Sequence, residues 1–160
     1  RERARGARMG LTTGEHAPAL CDSKGAPPLT HLGEPISLAS YAGKRVLIWF
    51  YPRASTGGCT AEGVGFQGLL PRYAEKNVSI IGCSNDPVEK NAAFAKENGF
   101  TFPLICDTDL AVSVAYHAAP DASAGKANRV AVLIGANGQI EEYFGQVNAQ
   151  EFPAELLAKL

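Results

Sequence analysis

The stretch Pro52-Arg-Ala-Ser-Thr56-Gly57-Gly58-Cys59-Thr60-Ala-Glu62 is the place in this chain where residue types and spacing could do chemistry. A cysteine stands where an apolar strand should end and a helix should begin. The first turn of a helix offers free N–H groups and the positive end of the dipole. Both favour a thiolate over a thiol, and the thiolate is the nucleophile. Gly57 and Gly58 let the backbone approach a small ligand and aim N–H groups at it. Thr56 can cap the helix or donate its hydroxyl to the sulfur or to a substrate oxygen. The competing assignment makes Cys59 a small buried apolar residue. The Gly-Gly and Thr neighbours at a strand-to-helix turn favour the reactive thiol.

The elements that must hold this turn can be read around it. Arg45-Val-Leu-Ile-Trp-Phe-Tyr51 is almost continuously apolar and β-prone, which predicts a central strand buried on both faces and ended by Pro52. Val64, Phe66, Leu69, Leu70 and Tyr73 suit a helix with one buried side, which Pro71 should kink or end. Val78–Cys83 reads as a second strand, and Asp86-Pro87 opens a helix with proline at its first position that stops at Asn98-Gly99. Phe102–Ile105 is a third strand, and Asp109–Tyr116 reads as a helical turn or two. Arg129–Ile134 and Gln139–Phe144 read as a hairpin around a two-residue Asn137-Gly138 turn. Ala149–Leu160 reads as an amphipathic helix. Residues 10–44 read as loops and short strands, one of them near Ile36-Ser37-Leu38. Strands alternating with helices imply an α/β fold with right-handed crossovers and a mixed sheet.

Composition narrows the function classes. With 160 residues, 46% of them hydrophobic and 19% charged, the chain reads as one packed domain over residues 10–160. Fifteen Lys and Arg against sixteen Asp and Glu leave no positive excess for a nucleic-acid face. The longest apolar run, Val46–Tyr51, is far short of the roughly 18–20 residues of a membrane span. Four cysteines without a CxxC pair, and His16, His31 and His117 standing apart, argue against a disulfide framework and a structural metal. Residues 1–9 form a separate tail. Its four arginines suit either a tag or disordered remnant before Met9 or the end of an organelle-targeting peptide. The corresponding compartments are the cytoplasm or, for a targeting remnant, a plastid or mitochondrion.

Pro52, Thr56 and Cys59 form a Pro-x-x-x-Thr-x-x-Cys pattern that resembles the peroxidatic-cysteine motif of peroxiredoxins. VLIWFYP before it, CTAE after it and IIGCSNDPVEKNAAFAKENGFTFPLICDTD further on are similar to the peroxiredoxin Q, or bacterioferritin comigratory protein, branch. In NRVAVLIGANGQI, Arg129 matches the family's active-site arginine. The resemblance runs over roughly residues 15–160. It implies an AhpC/TSA-like, thioredoxin-like fold: a central mixed sheet flanked by helices, with an N-terminal β-hairpin extension. It also implies thiol-dependent reduction of hydrogen peroxide and organic hydroperoxides, an antioxidant activity without metal or cofactor. Cys59 would become a sulfenic acid. Arg129 would hold the thiolate, Thr56 position the peroxide, Gly58 and Cys59 N–H groups complete the pocket, Pro52 shield the sulfur and Glu62 orient Arg129. A thiol reductant (thioredoxin, glutaredoxin or glutathione) is implied, and a monomer or modest homodimer.

The chain departs from that pattern. Five residues after Cys59, where many relatives carry a resolving cysteine, stands Val64. Residues 88–100 hold no cysteine either, and Gly57 replaces the family's usual proline. Cys83 ends a strand expected to be parallel to 45–51, so it should finish at the same sheet edge as Cys59 and is the candidate resolving residue; Cys106 should lie further off, and Cys21 reads as buried. The chemistry is then either a one-cysteine cycle or a Cys59–Cys83 pairing. Two rivals remain: a thiol–disulfide oxidoreductase, which would want a CxxC, and a redox sensor on the same fold. A cysteine hydrolase would need a histidine base.

Overall fold

The computed structural model describes residues 10–160, so the expectations for residues 1–9 lie outside it. Among the described residues no helix is long and apolar enough to cross a membrane. Six strands form one mixed sheet. They are β1 (Leu29–Thr30), β2 (Arg45–Phe50), β3 (Val78–Ser84), β4 (Leu104–Cys106), β5 (Val130–Ile134) and β6 (Ile140–Phe144), in the order β1-β4-β3-β2-β5-β6. The helices are α1 (Gly57–Gly68), α2 (Leu70–Glu75), α3 (Val88–Asn98), α4 (Ala111–Ala115) and α5 (Phe152–Lys159). Strands β2, β3 and β4 are parallel, so their C-terminal ends share one edge. Strand β5 returns antiparallel beside β2, β6 pairs antiparallel with β5 at the sheet's edge, and β1 runs antiparallel on β4.

The central strand is buried on both faces because its two apolar sets serve two cores. Leu47, Trp49 and Tyr51 face a layer with Cys59 and Phe66 of α1, Phe94 of α3 and Leu156 of α5. Val46, Ile48 and Phe50 face a second layer with Ile81, Cys83, Val112 and Tyr116. This is the period-2 alternation of a strand between two packed layers. In each case only one side of a helix need be apolar, which is why the central strand reads as a continuous run and the helices do not.

The details differ from the sequence expectations where local chemistry decides. The chain breaks at Leu69, between α1 and α2, with Pro71 in the first turn of the second helix. Pro87 is the N-cap of α3 rather than its first residue, and Gly99 ends that helix left-handed, with φ 69°. The third strand lies at Leu104–Cys106, slightly later than expected. The N-terminal hairpin is reduced to one bridge, Leu29 with Pro35, closed by Thr30 N–H donating to Glu34 O at 2.8 Å. Proline has no N–H with which to continue a ladder, and residues Leu38–Tyr41 turn into a 3-10 helix instead. The β5–β6 connection is also longer than a two-residue turn. Gly135 N–H donates to Gln139 O and Gly138 N–H returns to Gly135 O, with positive φ at Gly138 but not at Asn137. A type I′ turn needs positive φ at both central positions, whereas a three-residue loop needs it only at the glycine.

Three of the glycines in helix α1, Gly58, Gly63 and Gly65, stand where another side chain presses against it. A Cβ at Gly63 would overlap the Phe100 ring. That ring stacks on Phe102 and meets Phe94 edge-on, both with centroids 5.0 Å apart, so it has little room to retreat. Gly63→Val should therefore lower the urea midpoint by an amount equivalent to about 2 kcal/mol, the usual scale of overpacking. An unchanged midpoint in a urea titration would show that Phe100 yields freely.

Candidate active site

Strand β2 delivers the chain to the sheet edge, where Tyr51 N–H makes a last ladder-like bond to Cys83 O at 3.0 Å. Pro52 cannot continue the ladder, and the turn Pro52–Thr56 follows. Ser55 sits at φ 64°, a left-handed conformation that costs a non-glycine residue about 1 kcal/mol or more. Thr56 is the N-cap of α1 by position, with extended backbone, and its carbonyl accepts from Thr60 N–H at 2.8 Å. Its hydroxyl does not cap the helix. It donates instead to Arg53 O at 2.8 Å, which leaves the oxygen lone pairs as acceptors.

Cys59 is the third residue of α1 and is fully buried. The N–H groups of Gly57, Gly58 and Cys59 belong to the first turn, where no carbonyl four residues back can satisfy them within the helix. Arg129 arrives from the other side of β2. It immediately precedes β5, whose Val130 pairs with Phe50, so antiparallel pairing carries it to the same edge as Pro52. Its Nη2 donates to Cys59 Sγ at 3.5 Å, and its Nη1 to Glu62 Oε1 at 3.0 Å. Gly58 makes room for it, since a Cβ there would stand 3.0 Å from Nη2 and 3.7 Å from Ala149 Cβ. Nothing crowds Gly57 in that way.

Glu62 lies one turn beyond Cys59, fully buried, with Oε2 lacking a hydrogen-bond partner. Burial pushes its carboxyl up to about 7, against the hydrogen bond and charge of Arg129. Burial also works against the Arg129 guanidinium, but the hydrogen bonds and charges of Cys59 and Glu62 more than offset it and leave its pKa raised. The arrangement puts a fixed positive group against a buried sulfur, with backbone donors at the same turn. Such a site stabilises negative charge moving from sulfur onto a bound oxygen.

The structure thus brings Gly58, Cys59, Glu62 and Arg129 together, places Pro52 and Thr56 on the turn that leads into α1, and sets Cys83 apart from them. Cys83 is the last residue but one of β3, near the shared edge, but strand alternation points it into the opposite core layer, with Ile81 and Tyr116. The sheet itself lies between the two sulfurs, so the expected proximity of Cys83 to Cys59 does not hold. Burial holds the Cys83 thiol well above its ordinary range. Alternation along β4 puts Cys106 on the Cys59 side of the sheet, where Asn91 Nδ2 contacts its sulfur at 3.5 Å. Cys21 is only half-buried, against the expectation of burial. His31 and His117 accept backbone N–H bonds from Leu104 and Gly10, so the described residues offer Cys59 no histidine base from either.

The sequence reading missed a polar cluster beneath the turn. Asp86, read only as a helix opener, accepts from Ala54 N–H at 2.8 Å and from the Ser84 hydroxyl at 2.7 Å. Ser84-x-Asp86 just after an apolar strand was the available signal. Its meaning depends on Ala54, thirty-two positions away.

Comparison with known proteins agrees with this geometry. A profile described as the AhpC/TSA family matches residues 13–143. The chain is 40% identical to a putative peroxiredoxin of Mycobacterium tuberculosis over 110 residues, covering 68% of this chain and 65% of that relative's length. It is 33% identical to peroxiredoxin Bcp of Xanthomonas campestris over 133 residues, covering 80% and 83%. The solved structure of Xanthomonas campestris bacterioferritin comigratory protein superposes with a TM-score of 0.81 at 29% identity, covering 92% of this chain and 96% of that one.

The raised Glu62 carboxyl has a measurable consequence. Between its ordinary value of 4.5 and about 7 the folded protein keeps a proton that the unfolded chain has released. Stability contributed by this group therefore falls as pH rises through that window and levels off above it. Urea midpoints measured from pH 5 to 8 should show this decline in the wild type and lack it in Glu62→Gln. An equal decline in the variant would assign the pH dependence to other groups.

Proposed function

Because the chain belongs to the AhpC/TSA family, in its peroxiredoxin Q/Bcp branch, we propose that it is a peroxidase that reduces hydrogen peroxide and organic hydroperoxides at Cys59. The observation that carries this reading is the Arg129 guanidinium, shared between Cys59 Sγ and the buried Glu62 over the Cα of Gly58. The Cys59 thiolate attacks one peroxide oxygen. A sulfur–oxygen bond forms, the O–O bond breaks, and its electron pair leaves on the other oxygen, which takes a proton to become water or an alcohol. Cysteine is oxidised to a sulfenic acid and the peroxide is reduced by two electrons.

Each neighbour has a role that follows from its contacts. Arg129 faces the sulfur, where it stabilises charge spreading onto the peroxide oxygens. The Thr56 hydroxyl, its own proton committed to Arg53 O, accepts a hydrogen bond from an incoming peroxide. First-turn N–H groups of Gly58 and Cys59 donate to its oxygens. Glu62 fixes the guanidinium, and Pro52 closes the strand side of the pocket. The exposed Thr56 and Gly57 mark the side from which a peroxide enters.

With Cys83 behind the sheet and no cysteine in α3, the sulfenic acid is returned by an external thiol. Two equivalents of a thiol such as glutathione, or one dithiol such as thioredoxin or glutaredoxin, give disulfide and water. Such donors are kept in the reducing cytoplasm, the compartment this reading favours.

One equivalent of hydrogen peroxide, followed by a sulfenic-acid trap and peptide mass spectrometry, should mark Cys59 and leave Cys83 free. Cys59→Ser should abolish peroxide consumption, and Arg129→Met should slow it by about 10²–10³-fold, the scale for losing one preorganised donor at a developing charge. Cys83→Ser should turn over as the wild type does. A folded protein whose Cys59 stays unmodified would overturn the assignment.

A further inference from the structure

Beneath the Pro52–Thr56 turn lies a buried polar chain that touches neither Cys59 nor Arg129. The Tyr51 hydroxyl donates to Asn91 Oδ1 at 2.6 Å, and Asn91 Nδ2 donates to Ser84 Oγ at 3.2 Å. The Ser84 hydroxyl donates to Asp86 Oδ2 at 2.7 Å, and the same oxygen accepts Ala54 N–H at 2.8 Å. Asp86 N–H closes back on Ser84 Oγ at 3.2 Å. Tyr51, Ser84 and Asn91 are fully buried, and Asp86 is 2% exposed.

Two properties of this chain bear on the reaction. It begins and ends on the same short stretch: it holds the Tyr51 side chain by its hydroxyl on one side of Pro52 and the backbone N–H of Ala54 on the other. Between those grips and Cys59 lie the left-handed Ser55 and the Thr56 hydroxyl. Strain at Ser55 persists only if its surroundings hold it, and the bond to Asp86 is the one made by the residue directly before it. Burying a carboxylate is also unfavourable unless its oxygens are bonded. An exposed turn could have been anchored by water or by a neutral side chain at lower cost.

We propose that Asp86 is a positioning residue for the peroxide pocket: through Ala54 N–H it fixes the turn that carries Thr56, while Ser84 and Asn91 fix the orientation of Asp86. This rests on the reading of Cys59 as the peroxide-reactive thiol. It adds a second support to that site. Arg129 and Glu62 hold the sulfur side, and the Asp86 chain holds the side that receives the peroxide.

The test compares two reactions of Cys59 in the reduced protein. Hydrogen peroxide needs Thr56 and the pocket, whereas iodoacetamide needs only an accessible thiolate. Asp86→Ala removes the acceptor of Ala54 N–H. It should slow the second-order reaction with peroxide by about 10²-fold, the scale of a reacting group displaced by an ångström, while alkylation proceeds at the wild-type rate or faster. Asp86→Asn keeps one oxygen that can accept both bonds and should restore most of the peroxide rate. Ser84→Ala leaves the carboxylate in place but frees its orientation, and covers the case in which Asp86→Ala does not fold; it should slow peroxide and spare alkylation.

Trp49, in the same core cluster as Cys59, reports the fold of each variant by its fluorescence. A folded Asp86→Ala or Ser84→Ala protein that reacts with peroxide at the wild-type rate overturns the proposal. So does a parallel fall of both reactions, which would mark a structural role only. A wild-type thiol inert to peroxide would instead overturn the reading of Cys59, and this inference with it.

Discussion

Everything at the candidate site depends on one ion pair, half-buried Arg129 with buried Glu62, and on what the second terminal guanidinium nitrogen does. Glu62 is enclosed by protein, and its burial alone would favour the neutral acid. Arg129 supplies the compensating charge, but with one terminal nitrogen only; the other terminal nitrogen points at Cys59 Sγ. The pair is therefore poorly explained as a device for stability, since a buried ion pair seldom outweighs its own desolvation. It is well explained as a mount. A carboxylate out of water's reach holds the cation at a fixed angle over Gly58, where a long flexible side chain would otherwise sample many positions.

The fold brings these groups together by using both kinds of strand pairing at β2. Parallel pairing with β3 and β4 gathers the ends of three strands at one edge, where α1 and α3 begin. Antiparallel pairing with β5 then brings the start of a strand to the same edge, and the residue just before that start is Arg129. A wholly parallel sheet would have put the residue before β5 at the far end. The mixed sheet is thus the reason that an arginine seventy positions after the cysteine can touch it.

How much of this was legible in the sequence depended on how local each feature was. The continuous apolar run of β2, the breaks at Pro52 and Pro71, the Gly99 stop and the strand-to-helix turn at Cys59 all rest on neighbours within a few residues. Arg129 was different: next to a strand it looks like any solvated charge, and only its likeness to a known pattern singled it out. Cys83 shows the opposite error. Its strand, direction and edge were readable, yet the face was not counted, and one residue of parity places a side chain on one side of a sheet or the other. Asp86 was read short for a third reason, although Ser84-x-Asp86 stood at the end of an apolar strand. Its partners come from the turn after β2, the end of β3 and the first turns of α3, so no window along the chain contains them.

The same parity shapes the second half of the cycle. Joining Cys59 to Cys83 would require the end of β3 to leave its pairing with β2, since the sheet divides the two sulfurs. Reaching Cys59 from outside requires far less. Helix α1 opens with Gly57 and Gly58, each about 1 kcal/mol less favourable in a helix than alanine, and a Cβ at Gly57 would meet nothing within 4 Å. Further along, Gly63 and Gly65 are covered by Phe100 and Pro153, so close that a Cβ at Gly65 would come within 2.9 Å of the proline ring. Glycine therefore weakens the first turn where the sulfur must be uncovered, and serves close packing in the turns that must stay docked. An opening confined to that first turn would uncover Cys59 to an external thiol while the rest of α1 remained on the sheet.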